Sequence, residues 1–138
     1  ERGTIYSVNE GNTALWDDRV KTYVESLKRH DATEKGPYTG RYVGSLVADF
    51  DRTLRKGGIF LYPVDAKRPA GRLRLLYECM PLAFIMEQAG GSAINGPDRI
   101  VEITPSDIHQ KSALITGSPS EVARYAAQVH AKGDVKGR

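Results

Sequence analysis

Two Gly-Gly pairs, Gly57-Gly58 and Gly90-Gly91, constrain the fold of this chain more than any other feature. Each follows a run whose apolar residues recur at helical spacing, and each precedes a short run suited to a strand. Glycine enters the left-handed conformation that ends helices without a Cβ penalty, so each pair reads as a helix stop. Ahead of the first pair, Ser45 reads as the N-cap of a helix with Leu46, Val47, Phe50 and Leu54 on one face. Ile59-Phe60-Leu61-Tyr62 follows as a strand closed by Pro63. Ahead of the second pair, residues 73–89 read as a helix with Leu73, Leu76, Ala83 and Phe84 on its apolar period. Pro81 inside that run either kinks the helix or sets its first turn later. Residues 92–94 then read as a strand.

The alternation continues through the rest of the chain. Residues 4–8 suit a strand, which Asn9-Glu10-Gly11-Asn12 ends as a turn. Residues 14–29 carry Leu15, Val20, Tyr23, Val24 and Leu27 at helical spacing, and residues 30–37 and 64–71 read as loops. Residues 100–103 and 113–116 read as strands. Ser118-Pro119-Ser120-Glu121 offers an N-cap, a Pro at the first helical position and a Glu at the third, so a helix over 119–130 is expected. The tail from 131 onward, rich in Gly and charge, reads as frayed. Helices and strands alternating without an internal repeat imply an α/β layered domain, and 138 residues suit one core.

Between Arg41 and Arg74 there are eight Arg or Lys residues against three Asp (Asp49, Asp51 and Asp65), which favours an anionic partner. The basic residues are interleaved with Pro, Gly and aliphatics and match no helix-turn-helix, zinc-finger or RNP signature, so nucleic acid is not the expected partner. Cys79 is the only cysteine; no intrachain disulfide can form, and it reads as a small core residue. His109 has no second His or Cys at ligand spacing and reads as structural. The absence of a signal peptide or a long apolar run points to a cytoplasmic protein with no membrane partner. Glu1-Arg2-Gly3 ahead of the first strand reads as a cut at a linker.

The chemistry concentrates in Gly71-Arg72-Leu73-Arg74-Leu75-Leu76-Tyr77-Glu78-Cys79-Met80-Pro81, where two guanidiniums and one carboxylate sit in an apolar run. Glu78 follows Arg74 at i+4, so the pair is either a surface ion pair or a site for a metal or ligand. Asn9, at a strand end, is either an Asx-turn residue or a ligand contact. Arg41 just ahead of a helix and Tyr62 at a strand end hold edge positions of the kind active sites use, although Tyr62 also suits a core aromatic. A phosphomonoester is best held by several preorganised donors, which Asn9, Arg41, Tyr42, Tyr62 and Arg72 could supply.

That stretch, together with YSVNEG (6–11), GRYVGSLVADFDRTL (40–54), GGIFLYP (57–63) and EQAGGSA (87–93), strongly resembles class I fructose-1,6-bisphosphatase. The resemblance runs in order over residues 3–126 and covers the C-terminal part of that enzyme. It implies the C-terminal layers of an αβαβα sandwich, a mixed β-sheet flanked by helices. It implies that Asn9, Arg41, Tyr42, Tyr62 and Arg72 bind the 6-phosphate end of fructose 1,6-bisphosphate, with Arg74 close to the substrate and Glu78 a ligand of Mg²⁺ or another divalent ion. It also implies a homotetramer in which Arg41 enters a neighbour's site, acting in gluconeogenesis. Two positions depart from the family pattern: Asn12 stands where some members have Tyr, and Arg72 replaces a usual Lys. The paired acidic residues that complete the metal site belong to the family's N-terminal part, so these residues alone are expected not to catalyse. A sugar-phosphate-binding module without catalysis and a basic nucleic-acid-binding domain are the competing readings.

Overall fold

The computed structural model describes residues 3–130, and the expected alternation is present. Strand β1 (Ile5–Ser7) leads through a 3-10 turn (Glu10–Leu15) to α1 (Asp18–Leu27), edge strand β2 (Thr39–Gly40), α2 (Leu46–Lys56) and β3 (Ile59–Tyr62). β4 (Leu73–Arg74) then passes through a wide π turn (Leu75–Cys79) into α3 (Met80–Gln88). β5 (Ser92–Ile94), a 3-10 turn (Ile100–Glu102), β6 (Lys111–Ser112), β7 (Leu114–Gly117) and α4 (Pro119–Val129) complete the order. The tail read as frayed, residues 131–138, lies outside the described residues. No described helix is long and apolar enough to cross a membrane.

Five strands form one mixed sheet in the order β2-β1-β3-β7-β5, and β4 and β6 form a separate ribbon. β1 is parallel to both β2 and β3, while β7 is antiparallel to β3 and β5. Parallel neighbours need a crossover, and here α1 and α2 supply the two. Alternation along β3 separates the layers. Ile59 and Leu61 pack with Val20, Tyr23 and Leu27 of α1 and Tyr125 and Val129 of α4. Phe60, between them, joins Leu75, Cys79 and Ala83 on the opposite face. On that second face Ser7 donates to Asp49 of α2. Tyr23 and Tyr125 meet edge to face at 5.0 Å, a geometry worth about 0.5 to 1.5 kcal/mol beyond the area buried.

The ends of α2 carry the caps expected of Ser45 and Gly57, and α1 starts at a cap of its own. The Asp17 carboxylate accepts from the Arg19 N–H at 2.8 Å, and Ser45 Oγ accepts from Ala48 N–H at 3.5 Å. Gly57 caps α2 by donating its N–H to the Thr53 carbonyl. Gly58 has φ +97°, and a Cβ there would overlap the carbonyl of Ile5 on the neighbouring strand. The second glycine of the pair therefore lets β3 approach β1, a role beyond stopping the helix.

Several expectations are corrected. Residues 73–89 are not one helix: Leu73 and Arg74 pair with β6, and Met80 N–H reaches back five residues to the Leu75 carbonyl. Pro81 lies in the first turn of α3, so of its two expected effects the later first turn holds and the kink does not. Because a strand and a wide turn replace part of the helix, the 3.6-residue period shifts: Leu75, Cys79, Ala83 and Met86 are buried, while Leu76 and Phe84 are 41% and 61% exposed. On α2 the buried residues are Asp49, Phe50 and Thr53, and Val47 is 70% exposed. Residues 100–102 form a 3-10 turn in place of a strand, and residues 10–15 form a 3-10 turn ahead of a later-starting α1. The Ser118 and Glu121 side chains serve tertiary contacts: Ser118 Oγ accepts from Gly58 N–H at 3.0 Å, and Glu121 accepts from the Tyr38 hydroxyl at 2.7 Å.

Cys79 is fully buried, as expected, and burial pushes its thiol pKa up to about 12. The reactive thiolate is therefore scarce at neutral pH. Native protein at pH 8 should leave Cys79 unmodified by an aromatic disulfide reagent over minutes, with one thiol per chain released on adding denaturant. Stoichiometric reaction without denaturant would contradict this burial.

Candidate functional site

The carboxyl ends of the three parallel strands open onto one cleft. Asn9 lies two residues beyond β1, Tyr42 two residues beyond β2, and Tyr62 is the last residue of β3. All three line the cleft together with Asn12, Trp16, Asp65, Arg68 and Arg72. Ligands of α/β sheets characteristically sit outside the carboxyl ends of parallel strands, where connections run off in opposite directions. Val8, Trp16 and Leu61 close the cleft floor and belong to the core between the sheet and α1 and α4.

Arg72 is the centre of its polar wall. Its Nη1 donates to Tyr62 Oη at 2.8 Å, and its guanidinium stands 5.7 Å from the centroid of the same ring. Phe60 braces that ring edge to face at 6.2 Å. Just upstream, Gly71 has φ +94° and packs directly on the Ser112 backbone, leaving no room for a Cβ. This contact fixes where the chain turns from loop into β4. Since Tyr62 Oη accepts from Arg72, its own hydrogen is left to donate to a ligand, and each bond polarises the next.

Asn9 reconciles its two readings. Its Oδ1 accepts from Gly11 N–H at 3.1 Å, the Asx-turn bond, which orients the side chain and leaves the amide nitrogen as a donor at the cleft. Burial pushes the Tyr42 hydroxyl above the ordinary phenol range, with Tyr62 and Asp49 adding to the shift. At neutral pH Tyr42 is thus a protonated donor. The loop 65–68 is held by Asp65 Oδ1, which accepts from the N–H groups of Lys67 and Arg68 at 2.9 and 2.8 Å.

Arg41, Arg74 and Glu78 do not line this cleft. Arg41 is exposed, and its guanidinium donates to the Gly40 carbonyl at 3.2 Å. Glu78 makes no ion pair with the Arg74 side chain; its Oε2 accepts from the Arg74 backbone N–H at 2.6 Å. A Glu that reaches back to the N-cap N–H completes half of a capping box, normally from the third helical position. The extra residue of the π turn moves it to the fourth. Among the described residues no three His, Cys, Asp or Glu side chains converge on one point. Glu78 is thus a lone carboxylate at this point, with Oε2 already accepting one hydrogen bond. His109 meets Tyr77 Oη at 3.2 Å, away from the cleft.

Among the cleft residues that the sequence reading of the site does not include are Trp16 on the floor, Asn12, Arg68, hidden in a loop that looks merely basic, and Asp65, whose role is to shape that loop. The signal for Asp65 was its position before Ala66-Lys67-Arg68-Pro69, an Asx-turn setting.

Comparison with known proteins agrees with this architecture. The family model described as fructose-1-6-bisphosphatase, C-terminal domain, matches residues 1–130. The class 1 fructose-1,6-bisphosphatase of Cytophaga hutchinsonii is 54% identical over 127 residues, covering 92% of this chain and 37% of the relative. That of Chloroherpeton thalassium is 53% identical over 122 residues, covering 88% and 35%. A chloroplastic fructose-1,6-bisphosphatase of Oryza sativa subsp. japonica is 55% identical over 122 residues, covering 88% and 30%. The chain spans about a third of the length of the curated relatives it matches. A match over nearly every residue of this chain decides its membership: it belongs to the fructose-1,6-bisphosphatase C-terminal domain family.

Proposed function

We propose that this chain is the sugar-phosphate-holding part of a fructose-1,6-bisphosphatase, gripping the 6-phosphate end of fructose 1,6-bisphosphate while the 1-phosphate is hydrolysed to give fructose 6-phosphate and phosphate in gluconeogenesis. The observation that carries this reading is the convergence of Asn9, Tyr42, Tyr62 and Arg72 from three strand ends and one loop on a single cleft. Two guanidiniums line the cleft, but Arg68 lies 3.7 Å from the Asp65 carboxylate, so Arg72 supplies the charge for a phosphate dianion while the amide and phenol groups fix its orientation. With the far phosphate held, the sugar is positioned and its other end is presented to chemistry that lies elsewhere.

The divalent ion of such a phosphatase, Mg²⁺ in this reading, would polarise the reacting phosphate and its attacking water. Glu78 contributes one ligand, and further carboxylates come from outside these residues. Arg41, exposed and outside the cleft, fits a residue that serves a neighbouring subunit of a homotetramer. Arg74 stays in this proposal as a substrate-proximal cation. A cytoplasmic enzyme matches the reading, although chloroplastic relatives occur.

In the full-length enzyme, Arg72→Ala removes a charge-assisted hydrogen bond worth roughly 1.5 to 3 kcal/mol. The KM for fructose 1,6-bisphosphate should rise about ten- to a hundredfold. The kcat should change far less, because the bond is made equally in ground and transition states. A large loss of kcat at unchanged KM would refute the binding role.

The shared role of Arg41 has a separate test. Full-length Arg41→Ala is mixed with a second inactive variant, Glu78→Gln, under conditions where subunits exchange. Sites pairing an intact Glu78 with a neighbour's intact Arg41 should reappear and restore activity at low substrate. No recovery after verified exchange would place Arg41 in its own subunit's site.

A further inference from the structure

We infer that Asp49 and Arg52 of α2 are positioning residues that lock the Arg41–Tyr42 loop against the sheet and so set the selectivity of the cleft for a sugar bearing a second phosphate. The inference rests on the proposed sugar-phosphate reading of the cleft.

Asp49 is an anomaly on α2, a carboxylate only 1% exposed on a helix that does not need it for capping. Ser45 already serves as the N-cap. Burying a carboxylate is costly unless its lone pairs are met, so its partners show what it is for. Its Oδ1 accepts from Ser7 Oγ at 3.1 Å and from Arg52 Nη2 at 2.9 Å. The backbone N–H of Val43 donates to both oxygens, at 3.0 and 3.3 Å, and that of Gly44 donates to Oδ2 at 3.1 Å. Arg52 Nη2 donates in turn to the carbonyl of Arg41 at 2.8 Å.

These bonds bracket Tyr42 on both sides. The loop leaves a two-residue edge strand and is exposed, with Tyr42 and Val43 at 39% and 67%. Its last sheet bond is Arg41 N–H to the Tyr6 carbonyl at 2.9 Å. Beyond it, the loop is fixed at the Arg41 carbonyl and the Val43 and Gly44 N–H groups by one carboxylate and one guanidinium. Ser7, the third anchor, lies two residues ahead of Asn9 on β1. A single ion pair between a buried carboxylate and a half-buried guanidinium thus ties the strand end carrying Asn9 to the loop carrying Tyr42. Neither Asp49 nor Arg52 lines the cleft, so any effect on its ligand passes through Tyr42, the residue of this loop that does.

The test uses the full-length enzyme and compares kcat/KM for fructose 1,6-bisphosphate and for fructose 1-phosphate, which lacks the phosphate this cleft would hold. Arg52→Met removes both of its bonds while keeping its bulk, and Arg52→Lys keeps the charge and several donors. Arg52→Met should lower the bisphosphate-to-monophosphate ratio roughly tenfold or more, the scale expected for a displaced binding group. Arg52→Lys should recover a substantial part of that ratio. Asp49→Asn, which places amide hydrogens against the Val43 and Gly44 N–H groups, should lower it as well. A role in stability alone would reduce both substrates in proportion to folded enzyme, and an unchanged ratio in Arg52→Met overturns the inference. Tyr42→Phe and Arg72→Ala serve as the control: if they also leave the ratio unchanged, the sugar-phosphate reading fails, whereas a lowered ratio in them alone rejects only the positioning role.

Discussion

The cleft depends on β1 being parallel to both of its neighbours. Had β1 and β3 been joined by a hairpin, their carboxyl ends would lie at opposite edges of the sheet, and Asn9 and Tyr62 would never meet. The register is as important as the direction. Tyr6 pairs with Gly40 and Ser7 with Phe60, which brings the ends of three strands level. A slip of one residue would send Tyr6 to the face of α2 and Ser7 to that of α1, exchanging a core aromatic for a hydroxyl. The hydrophobic division between the two faces therefore holds the register, and the register sets the spacing of the ligand donors.

Within that frame the donors are organised before any ligand arrives. Phe60 restrains the Tyr62 ring, Tyr62 orients Arg72, and Gly71 fixes the backbone from which Arg72 springs. Long side chains lose up to about 2 kcal/mol of rotamer freedom when immobilised. Here folding has already ordered the guanidinium, so less is lost on binding. The same arrangement favours Arg over Lys at this position, because a planar fork can hold a phenol oxygen with one nitrogen and keep others for an anion.

Much of this was legible in the sequence, and the rest was hidden for identifiable reasons. Helix stops at Gly57 and the N-cap at Ser45 act locally, through backbone conformation, so local reading finds them. β2 and β6 are two residues long and carry no period to detect. Residues 73–89 misled because a short strand and a π turn interrupt a stretch that is apolar throughout, and periodicity cannot see the interruption. Ser118 and Glu121 spell a capping box, yet tertiary partners at Gly58 and Tyr38 claim both side chains. Asn9, Tyr42, Tyr62 and Arg72 stand out in the sequence by their edge positions and their match to a known pattern, and they line one cleft. That Arg41 points elsewhere and that Arg68 joins them are matters of loop path, which no residue spacing encodes.

The π turn carries one more consequence. An i+5 turn holds one residue more than the ordinary helix would, wedged between a paired strand and α3. Losing any single residue there would let the turn wind normally, rotating everything ahead of it by about 100° relative to the helix. Leu75 would leave the core, and β4 would be pulled out of phase with β6. Adding a residue would have the converse effect, with no loop on either side to absorb it. Between Arg72 and Cys79 the chain can therefore accept changes of letter far more readily than changes of count, and its descendants should differ there by substitution while keeping the same length.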